Sequence, residues 1–553
     1  MAVALKLPRI NRWTALVGCV VVAVVVAVVG VRVWDRSVED RLGRWAAAEV
    51  DHRTGGVYRL TVGDVTFLPF DGTLAFDSTV VVTDTARNRR RAEPLPLLQW
   101  GSHGCRVTGV DGLRLLLRRI FVARELGCDR VSTSITLVSP DTARERPDTA
   151  RDEALAELPR SLGLSSVRIA RVSLPALRFV LRRPGSDGGS SVLMEKARFE
   201  ATDVVFDPAA TKERGKRLTA ARATLAADGF VLRPDSNTRI TVAGVAADFA
   251  DSTLRLLRVR HEPEIPEEEW VRRVRVRRDR IRFEADSVRG RGVAYRAFLA
   301  TGDIGARVLE LDGAQLDVLT DRRIPHAPPR RHRTPQQVAE DPASALRIDT
   351  LVVRGATITY RERKPGTEQP GRATFEAVRG RVTHLHVPSN GKPLRIEAQA
   401  RVMGEGRLVA EAEVPLDARD FRYRLSASMG RMPAAAFNRF LSINEAFEFD
   451  EGQIDSVTIE QTARGGVATT VITPRYHDFS VNPTGEGGGP IGSVGRALKK
   501  FVANAFVVRS RNPGEDGKDL RTVRTVRRYD PTRTWVQFLW LSVRDGLMGG
   551  IKE

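Results

Sequence analysis

The chain has 553 residues, 42% of them hydrophobic and 28% charged, which allows a sizeable core and excludes a generally disordered polymer. Lys and Arg number 88 against 68 Asp and Glu, a net charge of +20. That balance favours anionic partners, whether lipid headgroups, lipopolysaccharide or nucleic acid, or else a solvated strand face rich in Arg.

The first predicted element is a membrane anchor. From Thr14 to Val31 the chain carries no charge, and Trp13 and Trp34 bracket the run. A helix between them is ~33 Å long, enough for a hydrocarbon core of about 30 Å, with the two Trp at interfacial positions. The competing reading is a cleaved signal peptide, but the run is longer than such a core and ends in Gly-Val-Arg-Val-Trp, a poor cleavage site. Lys6, Arg9 and Arg12 precede the run without an acid among them, whereas Asp35, Glu39 and Asp40 follow it. Residues 1–12 are therefore read as cytoplasmic, 13–34 as the transmembrane anchor, and the bulk as exported. Cys19 lies inside the apolar run. In an exported domain Cys105 and Cys128 are a candidate disulfide; two free thiols are the alternative.

Residues 35–323 read as a first β-rich region and 346–484 as a second. The clearest pattern is Leu394, Ile396, Ala398, Ala400 and Val402 alternating with Arg395, Glu397, Gln399 and Arg401. After Met403-Gly404-Glu405-Gly406, Leu408, Ala410, Ala412 and Val414 continue it, followed by Phe421, Tyr423, Leu425, Ala427 and Met429. Period-two alternation puts the apolar set on one sheet face, and the Gly-containing link predicts a hairpin within an antiparallel meander. Two segments repeat one another. Leu164–Leu174, Phe179, Arg183-Pro184-Gly185 and Ala197–Ala201 match Ile348–Ile358, Tyr360, Lys364-Pro365-Gly366 and Phe375–Ala377.

Glu262 to Glu269 reads as an exposed acidic loop, 324–345 as a Pro/Arg-rich linker, and 485–553 as a Gly-rich break followed by amphipathic helices. Helix candidates are few: Ala434–Leu441 behind Pro433, a stretch through Val494, Leu498 and Phe501, and a face made by Trp535, Phe538, Leu539, Val543 and Leu547. Trp535 and Trp540, flanked by Arg533 and Arg544, are candidate membrane-interface residues; groove capping and core packing are the alternatives. The expected fold class is mainly β: one N-terminal transmembrane helix, then an elongated, curled antiparallel sheet, a β-trough with a few short helices. So few helices leave the apolar face to a second sheet layer or a greasy ligand.

No catalytic constellation is expected. His384 and His386 share a strand face but lack a third metal ligand, Tyr476-His477-Asp478 places His477 away from both neighbours, and Ile491-Gly492-Ser493 lacks the Lys of a phosphate loop. Nucleic acid is disfavoured because the aromatics alternate away from the Arg residues.

The order of four features resembles the AsmA-like family of Gram-negative envelope proteins, to which TamB is related and the chorein-type lipid-transfer proteins more distantly so. They are the N-terminal anchor, Leu113–Leu126 running to Ser132–Pro140, the repeated unit, and Phe437–Leu441 followed by Glu451–Val457 and Tyr476–Phe479. The resemblance implies a single-pass inner-membrane protein, its bulk in the periplasm, with a β-groove that shields or transfers phospholipid for outer-membrane homeostasis. It implies no enzyme activity and no cofactor, and it leaves room for an outer-membrane or periplasmic protein partner. The candidate groove lining is the alternating set Leu394 to Met429 named above. A non-enzymatic adaptor with a self-packed β-sandwich is the alternative.

Overall fold

A computed structural model describes residue 44 and residues 47–551, except 49, 53, 69–71, 92–93, 138–164, 185–188, 208–217, 302, 326–330, 341–344, 446 and 485–508. The anchor with Cys19, Trp13 and Trp34, and the helix candidate through Val494, lie outside the described residues. Among the described residues no helix is long and apolar enough to cross a membrane. The protein is mainly β and forms two compact units, residues 1–258 with 295–302, and residues 259–294 with 303–553. The 324–345 segment lies within the second.

The first unit contains β1 (Tyr58–Val62), β2 (Val65–Leu68), β3 (Thr73–Thr83), α1 (Thr85–Arg89), β4 (Leu97–Thr108), α2 (Gly112–Arg118), β5 (Ile120–Thr136), β6 (Ser166–Arg183), β7 (Ser190–Phe206), β8 (Leu218–Thr219), β9 (Arg222–Asp235) and β10 (Thr238–Asp248). Strands β1 and β2 both pair with β3, and antiparallel pairing runs on through β4 to β5. Strand β6 then joins β5 in parallel, before β7, β9 and β10 resume the antiparallel order. Apolar side chains collect at the two ends of these strands. Tyr58, Leu60, Val81, Leu98, Ile135 and Leu181 form one core, and Leu74, Phe76, Val107, Leu115, Phe121 and Ile169 the other. Cys105 and Cys128 sit opposite one another on β4 and β5 and are joined by a disulfide, the first of the two alternatives left open by the sequence.

The chain passes between the units within β11 (Thr253–Pro263). It continues through α3 (Glu267–Arg273), β12 (Arg280–Arg291), α4 (Tyr295–Thr301), β13 (Ile304–Asp312), β14 (Gln315–Asp321), α5 (Pro335–Ala339), β15 (Leu346–Arg363), β16 (Gly371–Val387), β17 (Leu394–Val402), β18 (Gly406–Val414), β19 (Tyr423–Met429) and β20 (Met432–Pro433). Last come α6 (Asn438–Asn444), β21 (Phe447–Arg464), β22 (Val467–Pro483), β23 (Val523–Arg528) and α7 (Trp535–Ile551). The expected meander is present: Val402 pairs with Gly406 around a three-residue turn, and β16 through β19, then β21 and β22, are successive antiparallel neighbours. Met403 and Gly404 both have positive φ in that turn, which explains the glycine.

The sheet is mixed, which corrects the expectation of a wholly antiparallel one. In the first unit β6 runs parallel to β5, and in the second both β13 and β14 run parallel to β15. A parallel neighbour requires a long crossover in place of a hairpin. The segment before β15 is such a crossover, and it carries α5.

The two repeated segments build the same hairpin. In each, an 18-residue strand returns as a 17-residue strand. Each first strand is continuous but carries a β-bulge, at Leu174–Phe179 and at Val353–Ile358. Each return strand answers with a left-handed residue, Lys196 and Ala377.

Two helix starts share a chemical device. Thr334 and Gln337 cap α5 reciprocally, and Thr534 and Gln537 cap α7 in the same way, with N···O distances of 3.0–3.3 Å. Residues 434–441 are helical as expected, a short 3-10 turn leading into α6. The acidic stretch expected as a loop instead opens α3. Glu267, Glu268 and Glu269 occupy its first turn, Arg272 and Arg273 its last, and Trp270 is buried beneath.

Candidate functional site: the apolar face of β16 to β19

In the second unit, register aligns the inner residues of neighbouring strands into rows. Gly380, Ala398, Ala410, Ala427 and Ile459 form one row, and Val382, Ile396, Ala412 and Leu425 another. Their side chains are half-buried, and the Arg and Glu residues between them on β17 point away and are exposed.

At each end of these strands the face is sealed by a core. One core gathers Met432, Phe447, Phe449, Ile454, Val457, Ile472 and Tyr476, with Met403 and Met429 packed against it. The other gathers Ala339 of α5 with Val414, Leu416, Phe421, Tyr423, Ala463, Ala468 and Phe538. Phe421 is the hub of an aromatic cluster there, its ring centroid 4.7 Å from Tyr529, 5.5 Å from Tyr423 and 5.8 Å from Phe538. Gln336 of α5 donates to the carbonyls of Pro415 and Arg422, which ties the crossover to this end.

Helix α7 reaches from one core to the other. Phe538 lies in the Phe421 core, Val543 and Leu547 in the Met432 core, and the helix packs on β22 and β23. Ala463, Ala468 and Ile472 are fully buried as a result. Under it, Tyr423 donates to Gln461 and Gln461 donates to Thr470, so the polar groups of that layer are satisfied. Burial pushes the Tyr423 hydroxyl well above its ordinary titration range.

The helix does not bury the rows of β16 to β18. Where Gly380, Ala398 and Ala410 stand side by side, the small side chains leave a depression of about 750 Å³, lined also by Val352, Val353, Gly355 and Val409. Arg354, Arg379, Arg381, Glu397, Gln399 and Glu411, which alternate with the small residues along these strands, also line it. Small and β-branched residues at such a depression can accommodate a hydrocarbon chain whose polar end stays in water.

The candidate lining residues therefore divide. Leu394, Ile396, Ala398, Ala400, Leu408, Ala410, Ala412, Leu425, Ala427 and Met429 are half-buried on the face, whereas Val414, Phe421 and Tyr423 are buried in an end core and Val402 is buried beside the turn at Met403. Gly380, Val382 and Val353 belong to the same face and were not among the candidates. Alternation within β16 and β15 could have found them, had bulges near Glu376 to Arg379 and Val353 to Ala356 not interrupted the period. Trp535 packs against the Phe421 core, and Trp540 is 51% exposed on the outer side of α7.

A second depression, of about 690 Å³, is lined by Glu267, Glu268, Arg323, Arg363 and Gly366 to Gln369. Its inner charges already have partners: Glu267 pairs with Arg361 and Arg363 at 3.0 Å, and Arg323 with Asp321 at 2.6 Å. The Glu267 pairs hold α3 onto β15. His386 bonds Asp349 and His477 bonds Asp455, both at 2.9 Å, so neither faces the other histidine candidates. Among the described residues no group of three His, Cys, Asp or Glu is placed to hold a metal. No protein-family model and no curated protein matches this chain.

Proposed function

We propose that this is a non-enzymatic, AsmA-like envelope protein, anchored in the inner membrane by residues 13–34, whose β-rich bulk shields or transfers phospholipid in the periplasm. The observation that carries the reading is the half-buried apolar face of β16 to β19, closed at both ends and hollowed at Gly380, Ala398 and Ala410. Acyl chains are the ligand such a face suits. Each methylene removed from water contributes about 0.8 kcal/mol, and no catalytic group is needed to bind or release a tail. Arg354, Arg379 and Arg381, which line the same depression, are the candidate partners for a headgroup. The anchor holds the protein at a membrane that supplies lipid.

The test is local, because detergent-solubilised anchors carry lipid of their own. A photo-crosslinking amino acid is placed at Ala410 in the full chain, expressed in a Gram-negative host, and irradiated in native membranes. The expected result is capture of phospholipid at Ala410 and little at Arg401, which is exposed on the opposite face of β17 and outside the depression. Equal capture at both, or none at Ala410, would sink the carrier reading and favour an adaptor with a self-filled core. A periplasm-specific reporter fused after residue 553 tests the topology independently, and its silence would overturn the periplasmic placement.

A further inference from the structure

Helix α2 presents a second surface that the apolar face does not explain. Its sequence, Gly112-Leu-Arg-Leu-Leu-Leu-Arg118, is pinned to the first unit by Leu115, which is buried among Leu74, Phe76 and Phe121. Asp111 caps its start by accepting from the Arg114 backbone at 2.9 Å, and Ser165 bonds the carbonyls of Arg118 and Arg119 at its end. The helix is thus rigidly mounted. Leu113 and Leu117, one turn apart and opposite Leu115, are 70% and 75% exposed, the highest values for large hydrophobic residues among the described ones. Arg114, Arg118 and Arg119 surround them, all exposed. Arg114 pairs with Asp111, whereas Arg118 and Arg119 form no ion pair among the described residues.

We propose that α2 is a docking point for the surface of an anionic lipid bilayer. Two projecting leucines ringed by guanidinium groups match the layering of a membrane interface, apolar tips at the acyl boundary and cations at the phosphates. The charge selects this partner. A purely apolar protein groove that accepted the leucines would leave both arginines without partners, whereas an anionic headgroup layer pairs with both. The site is independent of the groove, so failure of either leaves the other standing.

The experiment uses the full chain with Cys19→Ser and Leu117→Cys, so that the introduced thiol is the only one outside the Cys105–Cys128 disulfide. A nitroxide on that thiol is read in vesicles of phosphatidylcholine, with and without phosphatidylglycerol. In the anionic vesicles the label should collide more with oxygen, which concentrates in lipid, than with a water-soluble nickel chelate. Replacing Arg118 by Gln, and then Arg119, should lower the interfacial population about fivefold per guanidinium removed. Leu113→Ser should also lower it; circular dichroism of each variant checks that the fold is retained. A label equally open to the nickel chelate in both vesicle types would overturn the proposal. So would dipolar broadening between labels in phosphatidylcholine alone, which would assign Leu117 to a contact with a second copy.

Discussion

Tyr423 and Gln461 meet across 3.0 Å in the layer beneath α7, where, among the described residues, the phenol is the one donor to the amide oxygen. Both residues are almost fully buried. Tyr423→Phe keeps the ring in its core and leaves that oxygen without the phenol. The expected cost is about 1–3 kcal/mol. Urea unfolding of the two proteins measures it, and a change below a few tenths of a kcal/mol would show that another donor takes over.

All six tyrosines, Tyr58, Tyr295, Tyr360, Tyr423, Tyr476 and Tyr529, titrate above their ordinary value of 10.0, each chiefly through burial, with Tyr295 pushed up to about 12. The fold therefore holds phenolic protons that the unfolded chain gives up. The stability this contributes is fully present below pH 10 and is lost as the pH rises from there through the folded values. Thermal midpoints should fall above pH 10, and phenolate absorbance should rise together with unfolding. Ionisation of the tyrosines well before the loss of circular dichroism would contradict the burial.

The Cys105–Cys128 disulfide spans 23 residues of sequence. Constraint of the unfolded chain by a loop of that size is worth about 3 kcal/mol. Replacing both cysteines with Ser should lower the stability of the first unit by about that amount, with the added loss of two small side chains from an apolar core. Denaturation followed by a probe in that unit reads the change. Reductant should reproduce it in the native protein and leave the variant unaffected.

Phe538→Ala removes the side chain through which α7 reaches the Phe421 core. The expected loss is about 3–5 kcal/mol. Hydrogen exchange should then accelerate through residues 535–547 and at Ala463 and Ala468, while β17 and β18 keep their protection. Uniform acceleration across the unit would mean that the helix does not unfold separately.

Much of this architecture was legible because it depends on local pattern. The 394–414 hairpin followed from strict alternation around Met403-Gly404, and the repeat followed from matched segment lengths and a Pro-Gly turn. Strand direction was not legible: alternation is the same for parallel and antiparallel neighbours, so nothing in Ile348 to Ile358 discloses that β13 and β14 lie beside it in parallel. Helix α3 had readable signals, Pro266 followed by three Glu, two Arg at the far end, and Trp270 with Val274 one turn apart, but composition drew attention to the acids alone. For the candidate face the residue set was legible, yet its division was not. That Tyr423 and Val414 are sealed while Ala410 is half-open depends on where α5 and α7 come to rest, far away in sequence.

The position of α7 in the chain bears on how the protein is made. Strands β21 and β22 leave the ribosome at least fifty residues before Trp535 does. During that interval Ala463, Ala468 and Ile472 lack the cover of α7, and the hairpin presents that greasy flank to everything around it. At translation rates of ~5–20 residues per second, that exposure lasts several seconds. Slowing synthesis between residues 483 and 535 should therefore raise the demand for chaperones, and a mutation that weakens α7 extends a vulnerability every nascent copy already passes through.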